Sequence, residues 1–307
     1  MADLFDLDFV FVVGKGGTGK TTTSAAVALA AARRGKRVLV AMANAKERLN
    51  HLLEVEPIGT HNQRILPNID AVNMTPRVAL EEYGMMILKV RTLYKAIFEN
   101  KLVSAFLRGT PGIEAWSMLG KAFFHTKETD ETGRRRYDLV IFDAPATGHG
   151  LEMLRVPQVI VDVAPPGLLR REAADALALF RDPKRAGVLV ATLPEDMPTN
   201  ETIELHEALT KELRMPVSRI VVNGVVPVLF RDGERAAYEG LSGRLPHGSP
   251  LASLARAARV RSLRERTQQE SILRLSQEIA VPRVELPLLF VPEFRRSAVE
   301  SLSHAFG

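Results

Sequence analysis

The chain has 307 residues, 46% of them hydrophobic and 25% charged, with 41 Lys+Arg against 36 Asp+Glu and no cysteine. That length and apolar fraction support a buried core and exclude disordered, collagen-like and disulfide-stapled classes. Without cysteine there is no thiolate nucleophile, cysteine-based zinc site or iron–sulfur cluster, and a formal charge of +5 fits an ordinary mixed surface rather than a nucleic-acid footprint.

In chain order, the first residues carry Asp3 and Asp6 where a signal peptide carries basic residues, so secretion is not expected and a cytoplasmic location is. Short β-branched runs predict buried strands at 9–13, 37–41, 138–142, 187–191 and 219–222, with a weaker one at 284–286. The longest apolar candidate, the Ala-rich 25–32, reads as the buried face of a helix and falls short of the ~18–20 residues that span a bilayer. Strands alternating with helical patterns predict an α/β fold, a mainly parallel central sheet flanked by helices, as one domain over 1–307. From about 76 to 127 the rhythm changes. Met86, Val90, Leu93, Ile97, Leu102 and Phe106 recur at helical spacing, Gly109-Thr110-Pro111-Gly112 interrupts, and 113–124 resumes. This predicts an inserted helical subdomain, with Tyr83, Met85, Met86, Phe98, Trp116 and Met118 as packing residues. A last helical stretch, 251–279, holds Arg256, Arg259, Arg261, Arg264, Arg266 and Arg274. It reads mainly as a solvent face, with an anionic partner as the lesser alternative.

The chemistry concentrates after the first strand. Gly14-Lys15-Gly16-Gly17-Thr18-Gly19-Lys20-Thr21 matches the G-x-x-x-x-G-K-[ST] phosphate loop, between a strand and a helix as the motif requires. Its glycines let backbone N–H groups converge on a β-phosphate, and the helix N-terminus adds a favourable dipole. Gly14, Gly16, Gly17, Thr18, Gly19, Lys20, Thr21 and Thr22 are therefore candidate ATP/ADP-binding residues, with Lys20 on the β- and γ-phosphates and the Thr21 hydroxyl on Mg²⁺. Val140-Ile141-Phe142-Asp143 is a buried strand ending in a carboxylate suited to holding Mg²⁺ through water.

Lys-Gly-Gly-Xaa-Gly-Lys-Thr carries an additional lysine, Lys15, and resembles the deviant phosphate loop of the ParA, MinD, nitrogenase iron protein and ArsA class. The run after Asp143, Ala144-Pro145-Ala146-Thr147-Gly148-His149, is similar to the Asp-Thr-Ala-Pro-Thr-Gly-His switch II of the ArsA and tail-anchored-protein-targeting ATPases, with Ala, Pro and Thr rearranged. Pro111-Gly112-Ile113-Glu114, Leu193-Pro194-Glu195, Asn200-Glu201-Thr202 and Val221-Val222-Asn223 extend the likeness. It covers most of 9–300 and is weakest in 45–110 and 228–280. The resemblance implies a nucleotide-sandwiched dimer, homomeric or with a paralogue, in which Lys15 reaches the phosphates of the opposite subunit. It also implies that Gly148 moves with the γ-phosphate, that Asn223 bonds adenine, and that the loop with Pro287 and Pro292 closes over the base.

The family's switch I strand ends in an Asp that positions the attacking water, and here Asn44 occupies that place, followed by Ala45-Lys46-Glu47-Arg48. An Asn carbonyl orients water but is no base, and in phosphoryl transfer orientation matters more than basicity. Two outcomes stay open: slow hydrolysis with Asn44, helped by Glu47, or a subunit that binds nucleotide and hydrolyses little. Slow, regulated turnover is the preferred one. The targeting ATPases also carry a long Met-rich insertion after switch II. Roughly thirty residues separate Gly150 from Gly187 here, too few for a comparable groove when a 20-residue helix is itself ~30 Å long.

The sequence thus reads as a Mg²⁺-dependent ATPase of the ArsA-like group, a nucleotide-driven switch for an unidentified partner protein. A ParA- or MinD-like positioning ATPase on DNA or membrane is the alternative, though nucleic acid is not the expected partner and no transmembrane segment is read. With no cysteine, neither the Cys-x-x-Cys zinc clasp nor the metalloid cysteines that the resemblance brings to mind can operate in this chain.

Overall fold

A run such as Phe9-Val10-Phe11-Val12-Val13 puts apolar side chains on both faces of a strand, so the strand is stable only where both faces are covered. In the computed structural model this constraint is met at 9–13, 38–43, 139–143 and 186–192, where every residue is buried. The structure describes residues 3–45, 48–88, 112–231, 233–235, 237, 246 and 250–307, with the side chains of Thr147 and His149 outside that description. The elements are β1 (Phe9–Val13), α1 (Lys20–Arg33), β2 (Val38–Ala43), α2 (Leu49–Leu53), β3 (Gln63–Leu66), β4 (Ile69–Met74), α3 (Pro76–Leu88) and α4 (Ile113–Phe124). After them come β5 (Leu139–Asp143), α5 (Thr147–Val163), α6 (Leu168–Phe180), β6 (Ala186–Thr192), α7 (Asp196–Glu207), β7 (Val217–Val225), α8 (Pro250–Glu278), β8 (Arg283–Pro287) and α9 (Arg296–Ser303).

The strands form one sheet in the order β3-β4-β2-β5-β1-β6-β7-β8, parallel except for the edge pair β3–β4. The fold is therefore α/β with a mainly parallel sheet, as the alternation implied. Alternate residues of each strand feed two cores. Phe9, Phe11 and Val13 join Phe142, Trp116 and Phe180 on one face, while Val10 and Val12 join the Ala25–Ala31 side of α1 and Val299 of α9 on the other. Phe11 sits at 4.6 Å from Phe9, 5.9 Å from Phe142 and 4.9 Å from Phe180 between ring centroids. The alanines of α1 let that helix approach the sheet closely, which fixes where its first turn, Lys20 and Thr21, comes to lie. No helix of the described residues is long and apolar enough to cross a membrane.

Several expectations need correction. Strands β3 and β4 stand outside the predicted set because polar residues interrupt their apolar run. Asp70 of β4 is buried, and Arg64 and the Tyr137 hydroxyl satisfy its carboxylate. The starts expected at Arg37 and Asp138 fall one residue later. Those two residues form a forked ion pair, with contacts of 2.6 and 3.0 Å, that ties the entry of β2 to that of β5. Of the six arginines on α8, Arg261 is no solvent-face residue: its guanidinium holds the fully buried Glu265 at 2.8 Å and bonds the Pro227 carbonyl. Tyr83, Trp116 and Met118 pack in the core as expected, whereas Phe98 and the 89–111 portion of the helical elaboration lie outside the described residues.

Truncating the central ring tests this packing. Phe11→Ala should lower unfolding free energy by about 3–5 kcal/mol in a denaturant titration, because the surrounding rings cannot collapse into the space.

Candidate active site

Between Val13 and Lys20 the chain must reverse from strand to helix against the carboxyl ends of β6 and β7. Gly14, at φ +144°, passes so near β6 that a Cβ would stand 2.2 Å from the Ala191 carbonyl oxygen. Gly19, at φ +92°, leaves only 2.2 Å between a Cβ and Asn223 Nδ2. No other residue fits either position without displacing backbone or the Asn223 amide. Asn223 Nδ2 donates to the Thr18 carbonyl at 3.0 Å, and Thr18 Oγ1 donates to the Lys15 carbonyl at 2.9 Å. Both side chains buttress the loop from behind.

On the open side, Lys20 Nζ donates to the carbonyls of Gly14 and Lys15, each at 3.0 Å. Burial lowers the pKa of this ammonium, and the Asp143 charge works against that shift. Thr21 Oγ1 donates to Asp143 Oδ2 at 2.7 Å, joining the first turn of α1 to the end of β5. The Asp143 carboxyl is wholly buried, which raises its pKa to about 6 against the opposing Thr21 hydrogen bond and Lys20 charge. Its Oδ1 is buried with no partner at hydrogen-bond distance among the described residues, and the nearby Ser24 hydroxyl also works against the rise in pKa. A hydroxyl beside a carboxylate with an uncommitted oxygen is a donor set that suits Mg²⁺, a cation that takes oxygen ligands and keeps several waters. Thr21 and Asp143 are the residues that would hold it.

These groups face a cavity of about 900 Å³. Gly16, Gly17, Gly19, Lys20, Thr21 and Thr22 line one side, Ala43, Asn44 and Ala45 with Arg48, His51 and Leu52 a second, and Asp143 to Ala146 a third. Asn223 closes the rim. Asn44 adopts φ +48°, a left-handed conformation that asparagine tolerates better than most residues, and its N–H bonds the Met74 carbonyl at 2.7 Å. The Asn73 amide then clasps Ala45, accepting from its N–H at 3.1 Å and donating to its carbonyl at 2.9 Å. The end of β2 is thus pinned to β4, and Asn44 is held facing the loop.

The remaining candidates are placed differently. Lys15 does not line the cavity and pairs with Glu201 on α7. Gly148 lies exposed in the first turn of α5. Pro287, the last residue of β8, and Pro292 beyond it are exposed and do not line the cavity, although the neighbouring Leu288 N–H bonds the Val225 carbonyl at 2.8 Å and keeps that segment beside β7. Glu47 is outside the described residues. Arg48 and His51 are additions that the sequence analysis did not single out. The available signal was two basic residue types, four and seven positions after Asn44, beside a site built for anions.

A glycine-rich strand–loop–helix turn with Lys-Thr at its helical end, set at the carboxyl ends of a parallel sheet beside a buried Asp, defines the P-loop nucleotide-binding class. Within that class, the family model for anion-transporting ATPases matches residues 7–164, and the chain belongs to this ArsA ATPase family. It is 27% identical to ATPase BagA of Mycobacterium tuberculosis, across 90% of this chain and 86% of that protein. The arsenical pump-driving ATPase of Escherichia coli is 26% identical over 71% of this chain, which spans 40% of the pump protein. The ATPase ASNA1 homolog 1 of Paramecium tetraurelia is 30% identical over half of this chain and 45% of its own length.

The Asp143 environment carries a measurable cost. A carboxyl whose pKa rises from 3.8 to about 6 on folding destabilises the fold increasingly as pH climbs through that window, and fully above it. Asp143→Asn should therefore stabilise the nucleotide-free protein by about 1–3 kcal/mol at pH 7.5, with the gain vanishing below pH ~4, in denaturant titrations at both pH values.

Proposed function

We propose that this chain is a Mg²⁺-dependent ATPase that works as a nucleotide-driven switch between two face-to-face copies, or between this chain and a paralogue, and that its turnover is slow. The observation that carries the reading is the shared cavity, in which the phosphate loop, the Thr21–Asp143 pair and Asn44 face one another.

The N–H groups of 16–21 cradle the phosphates, and Lys20, whose present acceptors are two loop carbonyls, exchanges them for phosphate oxygens. Thr21 and Asp143 are the residues that would hold Mg²⁺, which when bound would neutralise charge on the phosphate chain. Asn44, fixed by its own N–H and by the clasp on Ala45, presents a carbonyl that orients the attacking water without taking its proton. Arg48 adds positive charge on the same side, and His51 a further hydrogen-bonding group. Asn223 commits one amide hydrogen to the Thr18 carbonyl, and its carbonyl oxygen, with no partner among the described residues, and second amide hydrogen suit the adenine edge. Because Lys15 faces away from its own cavity, its charge is available to a second subunit, where it stabilises the transferring phosphoryl group as an arginine finger does.

The nucleotide state has a path to a partner surface. A neighbouring cavity of about 560 Å³, lined largely by apolar residues of α4 and α5 such as Met118, Met153 and Val156, shares Ala43, Asn44 and Pro145 with the first. Movement of the two switch segments on hydrolysis therefore reshapes both.

Single-turnover hydrolysis tests the role of Asn44. The wild-type chain should hydrolyse ATP slowly but measurably, and Asn44→Asp should raise the rate by no more than about tenfold, equivalent to ~1.4 kcal/mol in the barrier. A gain beyond about a hundredfold would instead favour a nucleotide-binding subunit that hydrolyses little by itself.

A further inference from the structure

Lys15 belongs to the phosphate loop by sequence but not by direction. Its carbonyl accepts from both Lys20 Nζ and Thr18 Oγ1, at 3.0 and 2.9 Å, so the backbone at this position is fixed by the loop. Its ammonium, however, crosses to α7, where it pairs with Glu201 Oε1 and donates to Met197 Sδ at 3.2 Å. The second carboxylate oxygen, Glu201 Oε2, is buried with no hydrogen-bond partner among the described residues. The Glu201 side chain as a whole is about one-third exposed, so Lys15 is paired with a carboxylate that solvent still reaches in part. The two residues are therefore matched: α7 supplies a partner for the one loop cation that the cavity does not use.

We infer that Glu201 is a positioning residue for Lys15, holding the ammonium against the chain's own α7 and releasing it only when a second copy offers a phosphate group. The inference rests on the reading of Lys15 as a residue that acts across a dimer. A half-exposed Lys–Glu pair contributes little to stability, so the phosphate oxyanions of an incoming nucleotide site can outcompete it. The contact is then a weak latch. It keeps Lys15 from other anions while the chain is alone, and it opposes assembly by an amount paid once in each subunit of a symmetric pair. Removing it should favour assembly by about threefold per chain, hence about tenfold per symmetric dimer.

Two measurements on the full chain test this. The first is acylation of the Lys15 amine by acetic anhydride in the nucleotide-free protein, read by peptide mass spectrometry. Glu201→Gln should raise the Lys15 rate severalfold while leaving Lys127 and Lys211 unchanged, and an unchanged Lys15 rate would overturn the inference. The second is sedimentation velocity with Mg²⁺ and a non-hydrolysable ATP analogue. Glu201→Gln should assemble at about a tenth of the protein concentration that the wild type needs, and the substitution should have no effect in a Lys15→Ala background. Equal or weaker assembly by Glu201→Gln would overturn the latch, since it would make Glu201 irrelevant to assembly or a participant in the closed state. If the wild-type chain does not assemble with any nucleotide, the dimeric reading fails by itself, and the acylation rates alone decide for or against the latch.

Discussion

The structure depends on one close approach. The turn from β1 into α1 runs against the carboxyl end of β6 with no room for a side chain at Gly14, and against Asn223 of β7 with none at Gly19. That contact sets the height of the loop above the sheet, and with it the place of the first turn of α1. The Thr21–Asp143 hydrogen bond can form only because α1 starts where it does, and Asn44 can face the loop only because β2 lies one strand beyond β5. The Ala-rich face of α1 and the aromatic cluster under β1 are the packing that holds this arrangement in place. Site and core share the same strand: Val13 ends the core and Gly14 begins the site.

Much of this was legible in the residues, and the reasons differ by element. Strands buried on both faces advertise themselves as unbroken β-branched runs, so β1, β2, β5, β6 and β7 could be read to within a few residues. The hairpin β3–β4 could not, because Asp70 and Asn73 are polar residues inside a strand and their partners, Arg64, Tyr137 and the Ala45 backbone, are distant in sequence or on another element. Tertiary partners decide such cases, and a one-dimensional pattern does not contain them. The same holds for Arg261. It reads as one of a row of exposed cations until the fold puts a buried carboxylate one helical turn away with two loop N–H groups, those of Leu229 and Phe230, on its oxygens.

The site shows a similar division. The loop residues were identifiable because their spacing is dictated by phosphate geometry, and Asp143 because it ends a buried strand. The direction of each side chain was not. Thr18 turns inward to brace the loop, Lys15 turns outward to α7, and Pro287 and Pro292 remain exposed outside the cavity. Arg48 and His51 escaped notice because an isolated basic residue after a strand has no fixed meaning until the fold brings it to the wall of the cavity. Without cysteine, nothing covalent or thiolate-metal based can clamp two such chains together. In the proposed dimer, association would rest on packing and charge, and the two lysines of the loop are where nucleotide would alter that balance.

The most direct test is a crystal structure of the chain with Mg²⁺ and a non-hydrolysable ATP analogue. The account predicts two copies facing across the nucleotide, with the β- and γ-phosphates on the N–H groups of 16–21. Lys20 should have left the Gly14 carbonyl, and Lys15 should have left Glu201 for the phosphates of the opposite copy. Nucleotide bound outside the cavity, or bound within it while Lys15 stays paired to its own Glu201 in a single copy, would contradict it.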